Sequence, residues 1–280
     1  MSRSRPFAEI DVFSATPYLG NPVAVILDAD DVDDDSMKRV ARWTNLSETV
    51  FLLTPTDPAA DYRARILTPG GELPFAGHPT LGAARAWLEN GGTQRDSAHL
   101  VQECAAGLIR VKHEDGVWSF AAPPTLRSGE LEESHVQAVA DAFGVARERI
   151  IAHQWVDNGP GWAVVQLATA QEVIDLEPDL AQIPDAMIGA LGAYPNGAPH
   201  AFEMRAFAPR VGVPEDPVCG SINAAVAQWL LRTGAVPGPY RVSQGQRVGR
   251  AGAVTITLDP EGTMWVGGAT NPLVQGHLFT

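Results

Sequence analysis

The sequence predicts an α+β fold built from two similar halves. Predicted strands outnumber helices and do not alternate with them regularly, one helical segment recurs later in the chain, and Pro123-Pro124 separates two stretches with a similar order of elements. Regular alternation of strands and helices would have favoured a doubly wound parallel sheet instead. With 280 residues, the chain is long enough for two domains.

The first half is predicted from alternation, helical periodicity and turn residues. A helix is expected over residues 36–43 with Ser36 as its N-cap. The Ala- and Leu-rich segment 79–90 is the strongest helix, because a proline opens it and two glycines follow it. Strands are expected at residues 7–14, 23–27, 48–53, 61–67, 99–103, 107–113 and 116–121.

The second half begins after Pro123-Pro124 and contains a second strong helix at residues 221–233. A helix is also expected at residues 132–143, and further helices around residues 171–189. Strands are expected at residues 149–157, 161–168, 201–208, 239–243, 252–258 and 263–267.

Charge and hydropathy exclude several classes of partner. The net charge is −13 without a basic stripe, which argues against nucleic acid. No apolar run approaches the roughly 20 residues of a membrane-spanning helix, and no signal region opens the chain, so we expect a cytoplasmic protein without a membrane partner. Six aspartates lie between residues 28 and 35, but the turn glycine and closing glutamate of a calcium loop are missing. A solvated loop that leads into a helix N-terminus explains this run better.

The cysteines and histidines do not predict a metal site. Cys104 and Cys219 form neither a metal-binding spacing nor a disulfide framework, which suits a reducing compartment. The seven histidines are scattered and include no His-x-x-x-His pair.

An internal repeat is the most informative feature of the chain. Residues 72–91 (ELPFAGHPTLGAARAWLENG) align without a gap on residues 215–234 (EDPVCGSINAAVAQWLLRTG), at a constant offset of 143. Helices rich in Gly, Ala and Leu resemble each other by chance, but here prolines and glycines that punctuate the chain also align. The aligned pairs include Glu72 with Glu215, Pro74 with Pro217, Gly77 with Gly220 and Gly91 with Gly234.

The start of each repeat suits an anion. Gly77-His78 and Gly220-Ser221 stand where a strand runs into a helix, so their backbone N–H groups would be unpaired at the positive end of a helix dipole. If these two ends faced each other across a pseudo-twofold axis, they would bind a carboxylate without any arginine. We therefore expect an active site in a cleft between the halves, which an acidic protein could use for an anionic substrate.

These motifs identify a resemblance to the phenazine-biosynthesis isomerase-like (PhzF-like) family, relatives of cofactor-independent diaminopimelate epimerase. The matching motifs run in order from near residue 7 to near residue 270 and cover nearly the whole chain. They are Asp11-Val-Phe, Gly20-Asn-Pro-Val-Ala-Val, Asn45-Leu-Ser-Glu-Thr-Val-Phe, Glu72-Leu-Pro-Phe-Ala-Gly-His-Pro, Phe207-Ala-Pro, Glu215-Asp-Pro-Val-Cys-Gly-Ser, Gln244-Gly-Gln-Arg-Val-Gly-Arg and Gly267-Gly268.

The resemblance implies two pseudo-symmetric domains, each a curved and mainly antiparallel sheet wrapped around a central helix. The first would comprise residues 1–122 with a C-terminal return strand at about 269–280, and the second residues 123–268. It also implies a reaction without a cofactor. Homodimers are common in such families, which makes a second copy of the chain a candidate partner.

Glu48 and His78 are the first candidate catalytic residues. Glu48 is a charged residue at the start of an apolar strand, where it has no packing purpose, and the resemblance implies that it carries the proton. Partial burial would raise the pKa of such a carboxyl group and let it act as base and then acid. His78 would point into the cleft from the helix start, although a lone histidine is more often structural.

The other candidates are less specific. Asp216 would orient a substrate group or influence Glu48, or would only form the turn before the second helix. Ser221 is both a plausible helix cap and a ligand-binding hydroxyl. Asn21 would reach the substrate or serve only its Gly-Asn-Pro turn. Gly77 and Gly220 would supply backbone amides to the substrate.

Cys219 departs from the resembling family, in which threonine is more usual. It occupies the place of one of the two catalytic cysteines of the epimerases, but its repeat partner is Ala76, so a two-thiol mechanism is unavailable. Its position before a helix would lower the pKa of its thiol, whereas a small buried residue is the plainer interpretation. Ile222-Asn223 also departs from the family pattern, which leaves the substrate open.

The sequence therefore predicts an isomerase that moves a proton, with migration of a double bond, in a small carboxylate-bearing and possibly amino-substituted metabolite. One alternative is an amino-acid racemase or epimerase that uses Glu48 and Cys219 as an opposed pair. Another is a non-catalytic metabolite-binding protein, and a weaker one is a dehydratase.

Overall fold

The chain divides into two units, and each is described by itself. The computed structural model describes residues 3–236 and 238–280. Unit 1 contains the residues up to Ala121 together with Val266–Thr280, and unit 2 contains Ala122–Trp265. The chain thus enters unit 2 beside Pro123 and returns to unit 1 for its last strand.

Strands predominate in both units, which confirms the predicted α+β class. The helices are α1 (Asp34–Thr44), α2 (Gly77–Glu89), α3 (Glu133–Phe143), α4 (Ala170–Ile174) and α5 (Gly220–Arg232). The strands are β1 (Ser4–Val12), β2 (Asn21–Ile26), β3 (Glu48–Leu53), β4 (Tyr62–Thr68), β5 (Gly71–Leu73), β6 (Leu100–Cys104), β7 (Gly107–Glu114), β8 (Val117–Ala121), β9 (Arg127–Gly129), β10 (Ala152–Asp157), β11 (Ala163–Leu167), β12 (Ile188–Ala193), β13 (Phe202–Ala208), β14 (Val213–Asp216), β15 (Tyr240–Gln244), β16 (Gly252–Leu258), β17 (Met264–Gly268) and β18 (Thr270–Phe279).

Unit 1 is a mixed but mainly antiparallel sheet. Strand β1 pairs antiparallel with both β18 and β2, and β2 pairs parallel with β3. Strand β4 pairs antiparallel with β3 and β5 and parallel with β6, after which β6, β7 and β8 form an antiparallel meander. The two parallel pairs arise where a helix, α1 or α2, connects the strands.

Unit 2 repeats this pairing scheme from β9 to β16. Strand β10 pairs antiparallel with β9 and β11, β11 pairs parallel with β12, and β13 pairs antiparallel with β12 and β14 and parallel with β15. Strand β15 then pairs antiparallel with β16. The repeat noticed around the two strong helices therefore extends over the topology of both units, with β9 in the place of β18.

The strong helices α2 and α5 are the central helices of their units. Nine of the thirteen residues of α2 and ten of the thirteen residues of α5 are buried. A helix that is buried on most of its faces belongs to the interior of a fold. Each central helix follows a short strand, β5 or β14, that returns from the preceding long strand, and this arrangement fixes where the helix begins.

One prediction of secondary structure is wrong and another is confirmed only in part. The N-cap of α1 is Asp33, whose side chain accepts a hydrogen bond from the Ser36 N–H, so Ser36 lies inside the helix. The helices expected around residues 171–189 are the short α4 and a 3₁₀ helix at Leu180–Gln182, and the end of this region enters strand β12. Ala, Leu and Met favour helices as single residues, but pairing of β12 between β11 and β13 outweighs that preference.

Several residues of the aspartate run have partners in unit 1. Asp30 accepts hydrogen bonds from the Thr54 backbone and hydroxyl, and Asp31 pairs with Arg3 and Arg5. Asp33 caps α1. In the part of the chain that the structure describes, no helix combines the length and apolar character required to cross a membrane.

Candidate active-site residues

Glu48 lies at the first position of β3 in unit 1. The strand is buried along its whole length, and Glu48 itself is 7% exposed. Its backbone stands opposite Val23 in the parallel pair of β2 and β3. A carboxylate in this place is removed from bulk water without a packing reason, which is unusual for a glutamate.

His78 lies beside this carboxylate in the first turn of α2. Its Nε2 is 3.5 Å from Oε2 of Glu48, and the imidazole is 2% exposed. Burial lowers the pKa of His78 to about 3, against the opposite effect of the Pro22 carbonyl, which accepts a hydrogen bond from the ring. His78 is therefore neutral at physiological pH and keeps one ring proton.

Asn21 orients the imidazole from the opposite side. Its Nδ2 lies 3.2 Å from Nδ1 of His78, and an amide N–H can only donate. This contact favours the tautomer with the proton on Nε2, the ring nitrogen that faces Glu48. The Pro22 carbonyl, in contrast, favours a proton on the ring nitrogen that it contacts. Asn21 is fully buried, so it does more than form a surface turn.

Gly20 explains why the motif reads Gly-Asn. Its N–H donates to Oδ2 of Asp11, and a Cβ at this position would lie 2.3 Å from the Val12 carbonyl oxygen and 2.7 Å from Oδ1 of Asp11. Only glycine permits this approach, which sets the start of β2 and the position of Asn21.

The first turn of α2 is left without a side-chain cap. Its N-cap is Ala76, which has no side chain to bond the helix amides, and no acidic residue lies in the first turn. Gly77 and His78 are the first residues of the helix. Such a helix start is suited to an anionic group from outside the helix.

The first turn of α5 in unit 2 is also without a side-chain cap. Its N-cap is Cys219, the helix begins at Gly220, and no acidic residue lies in its first turn. Ser221 is 4% exposed, its Oγ accepts a hydrogen bond from Nε1 of Trp162 at 2.9 Å, and its carbonyl accepts one from Nδ2 of Asn158 at 2.9 Å. The hydroxyl of Ser221 thus keeps its own proton for donation.

Asp216 and Cys219 flank a tight turn before α5. Oδ1 of Asp216 accepts from the Val218 N–H at 3.1 Å, so the predicted turn role of this aspartate is real. Both residues are buried, at 7% and 5% exposure, and Sγ of Cys219 lies 3.4 Å from Oγ of Ser221.

The predicted site residues therefore form one group in each unit. Asn21, Glu48, Gly77 and His78 lie together in unit 1, and Asp216, Cys219, Gly220 and Ser221 lie together in unit 2. In residues 3–236 and 238–280, no three His, Cys, Asp or Glu side chains gather closely enough to hold a metal ion.

Three buried residues near the start of α5 were missed by the sequence analysis: Trp162, Asn158 and Gln244. Trp162 and Asn158 bond Ser221 from the β10–β11 region, and Gln244 bonds the Cys219 N–H from the end of β15. They lie 25 to 63 residues from their partners. The family-like Gln244 motif was the available signal for one of them; the other two have none in the local sequence.

The repeat shows what each unit has at matching positions. Leu67 and Phe207 are equivalent, and they pair with Thr49 and Ile188, so Glu48 corresponds to Met187, the residue before Ile188. By the offset of 143, His78 corresponds to Ser221 and Ala76 to Cys219. Unit 1 thus holds a carboxylate and an imidazole where unit 2 holds a thioether and a hydroxyl.

Comparison with known families decides the classification. The profile of the phenazine biosynthesis-like protein family (PhzC-PhzF) matches residues 10–276. The chain belongs to this family. The predicted resemblance and the predicted epimerase-like fold are confirmed. The prediction of an isomerase is confirmed at the level of the family, because several relatives are named isomerases.

Individual relatives carry different names. The chain is 33% identical to trans-2,3-dihydro-3-hydroxyanthranilate isomerase of Pseudomonas aeruginosa over 87% of each sequence, and 33% identical to a Schizosaccharomyces pombe protein named antisense-enhancing sequence 1 over 98% of each. Among solved structures, one titled as a predicted epimerase of Pseudomonas aeruginosa has a TM-score of 0.78 and 26% identity, with 99% of each chain covered.

Proposed function

We propose that this protein is a cofactor-independent isomerase that moves a proton, with migration of a double bond, in a small carboxylate-bearing metabolite. The observation that carries the proposal is the buried Glu48 carboxyl group 3.5 Å from a histidine that burial keeps neutral. A carboxylate in this setting can take a proton from carbon and return it without help from solvent.

The proposed step uses Glu48 as the only proton carrier. The Glu48 carboxylate removes a proton from one carbon of the substrate, the C–H electron pair forms a new double bond, and the existing double bond shifts along the carbon skeleton. The Glu48 carboxylic acid then delivers the same proton to the carbon at the far end, so substrate and product have the same composition. With its ring proton on Nε2, neutral His78 would stabilise the charged form of Glu48 and orient it. Met187 at the matching place in unit 2 supports a one-base mechanism, because a thioether cannot exchange a proton at carbon.

We also propose that backbone amides bind the substrate carboxylate. Gly77 and His78 begin α2, Gly220 and Ser221 begin α5, and neither helix has a side-chain cap or an acidic first turn. A carboxylate would be held by N–H groups and the positive ends of the helix dipoles, which offsets the unfavourable net charge of −13. Asp216 and the Ser221 hydroxyl would bind polar groups on the rest of the substrate, as the sequence predicts.

The substrate class follows from the relatives. The Pseudomonas aeruginosa relative is named for trans-2,3-dihydro-3-hydroxyanthranilate, which carries a carboxylate, an amino group and a hydroxyl group on a ring. We propose a small amino- or hydroxy-substituted carboxylate for this protein, with that compound as the first to test.

The test is turnover of trans-2,3-dihydro-3-hydroxyanthranilate in D2O, with the product and its deuterium content measured by NMR and mass spectrometry. We expect product formation, and we expect Glu48→Gln to lower the rate by about 10²- to 10⁴-fold, since general acid–base groups contribute on that scale. Met187→Leu is the matched control at the equivalent buried position and should keep the rate within about threefold. Turnover at the wild-type rate in Glu48→Gln would contradict the role of Glu48.

Other outcomes of the same experiment would favour the alternatives. Deuterium uptake with inversion at an α-carbon, lost in a Cys219→Ser variant, would indicate a racemase that uses Glu48 and Cys219. Binding of carboxylates with neither product formation nor exchange in the wild type, and with affinity unchanged by Glu48→Gln, would indicate a metabolite-binding protein. The name of the Schizosaccharomyces pombe relative refers to no reaction, which makes this second outcome worth measuring.

A further inference from the structure

Gln244 is a buried polar residue that the proposed mechanism does not use. It stands at the end of β15 in unit 2 and is 1% exposed. Its side-chain amide has partners on both sides, so the orientation of oxygen and nitrogen is unambiguous. Oε1 accepts from the Cys219 N–H at 3.1 Å and from Nδ2 of Asn223 at 2.9 Å, and Nε2 donates to the Asp216 carbonyl at 3.0 Å.

These contacts fix the turn that leads into α5 at both of its ends. Asp216 is the first residue of the turn and Cys219 is the N-cap of the helix. The backbone around Gln244 also fits closely against this turn: a Cβ on Gly245 would lie 2.5 Å from the Pro217 carbonyl oxygen, and Gly245 has a φ of +100°. The turn is therefore held from β15 in addition to the bond that the Asp216 side chain accepts from the Val218 N–H.

The contact to Cys219 has a second consequence for the helix start. The N-cap N–H is occupied by Gln244, and Asn223 bonds both the Cys219 carbonyl and Gln244. An anion at this helix start thus finds the N–H groups of Gly220 and Ser221 and not that of Cys219. Gln244 places a neutral oxygen beside the N-cap, where a carboxylate would compete with the ligand.

We propose that Gln244 is the positioning residue of the α5 helix start, which holds Asp216 and Cys219 in place and leaves the Gly220 and Ser221 amides to a substrate carboxylate. This rests on the proposed function, because it assumes that α5 binds the carboxylate. Gln244 acts through the turn and does not touch the substrate.

The test is a Gln244→Glu variant studied with 3-hydroxyanthranilate, the aromatic counterpart of the relative's substrate, which cannot isomerise. A protonated glutamic acid reproduces the glutamine, since it accepts from Cys219 and donates to Asp216. Its ionised form places a negative charge at the helix start and loses the bond to the Asp216 carbonyl. Burial raises the pKa of a carboxyl group, so this ionisation can be followed at mildly acidic pH.

We expect the ratio of Kd in Gln244→Glu to Kd in the wild type to be about tenfold or more at pH 8 and to approach one toward pH 5. The Asp216 carboxyl and the Cys219 thiol face this region in both proteins, so the two proteins differ only in the group at residue 244. Gln228→Glu is the matched control. Gln228 lies on the same helix, accepts from the Thr125 hydroxyl and donates to the Pro123 carbonyl, and its ratio should stay near one at both pH values.

Two further measurements separate the possible failures. Gln244→Met, which is neutral but forms no such hydrogen bonds, should weaken binding with no change in the ratio with pH. The chemical shift of the Cys219 amide, recorded without ligand, should change with pH as the new carboxyl group of Gln244→Glu ionises. A chemical shift that does not change with this ionisation would overturn the positioning role. Equal Kd values in Gln244→Glu and wild type at pH 8 would also overturn it. If wild type does not bind the probe, the proposed function fails, and the ligand-free titration still decides whether Gln244 holds the turn.

Discussion

The starts of α2 and α5 have the same backbone arrangement but different side chains around them. Both helices follow a short returning strand, begin at a glycine and lack a side-chain cap. At matching places unit 1 has Glu48 and His78, and unit 2 has Met187 and Ser221. Both helix starts therefore keep backbone donors that suit an anion, while Glu48 and His78 have no titratable counterpart at the matching places in unit 2. The proposed one-base reaction would depend on this difference.

A second difference concerns an ion pair that occurs in both units. Arg65 forms a two-bond pair with Glu72 in unit 1, and Arg205 forms the same pair with Glu215 in unit 2. The Arg65 side chain is 25% exposed, but the Arg205 side chain is 5% exposed. Arg205 also donates to the carbonyls of Val173 and Leu176, so the buried pair anchors α4 as well.

The largest expected effect in this comparison is on stability. We expect Arg205→Met to lower the free energy of unfolding by about 3–5 kcal/mol, because it leaves Glu215 and two carbonyls without their partner. Arg65→Met should cost about 1 kcal/mol or less, since its pair is open to solvent. Urea denaturation of both variants measures the difference. Equal losses would mean that burial does not distinguish the two pairs.

An intermediate effect is expected in the dependence of stability on pH. The pKa of His78 is about 3 in the folded protein and about 6.5 in the unfolded chain, because burial disfavours the charged imidazole. The unfolded state therefore binds the extra proton first, and stability is lost as pH falls below about 6.5, by up to about 1.4 kcal/mol per pH unit. Above that pH the histidine has no effect.

A His78→Gln variant isolates this contribution. The difference between wild-type and variant unfolding free energies, measured by urea denaturation from pH 8 to pH 4, should be constant above about pH 6.5 and then shift in favour of the variant. Ser221→Ala changes the equivalent position of unit 2 without a titratable group and should give a constant difference throughout. A constant difference for His78→Gln as well would mean that the imidazole ionises normally.

The smallest effect is expected from making the two helix starts alike. Cys219→Ala gives α5 the N-cap residue that α2 has in Ala76. With one base at Glu48, the turnover rate should stay within about threefold, and the loss of a small buried thiol should cost about 1 kcal/mol. A loss of activity comparable with that of Glu48→Gln would instead assign a chemical role to the thiol.

The sequence predicted the features that depend on local residues and on repetition. Pro and Gly mark the ends of α2 and α5, and Ala favours the helices between them. Both helices begin within two residues of their predicted starts. Asp33 was missed as a cap because several neighbouring aspartates and Ser36 are equally suited by type, and only the backbone geometry separates them.

Features that depend on distant contacts could not be predicted in this way. Strand β12 was not among the predicted strands, and its glycines matter through contacts with distant residues. A Cβ on Gly189 would lie 2.4 Å from Cδ1 of Ile222, and one on Gly192 would lie 2.2 Å from the Thr169 carbonyl oxygen. At the site, Glu48, His78 and Asn21 were named from family-like motifs. The bonds from Trp162 and Gln244 to the start of α5 arise only when strands far apart in sequence pair.

The path of the chain has a consequence for biosynthesis. Strand β18 pairs along nine positions with β1 and so completes unit 1, but all of unit 2 is translated between β8 and β18. During synthesis, unit 1 emerges from the ribosome first, but one edge of β1 stays unpaired until β18 is made. Unit 2 can complete its folding before that point. A chaperone would therefore find an exposed strand edge in unit 1 during the time before β18 is synthesised.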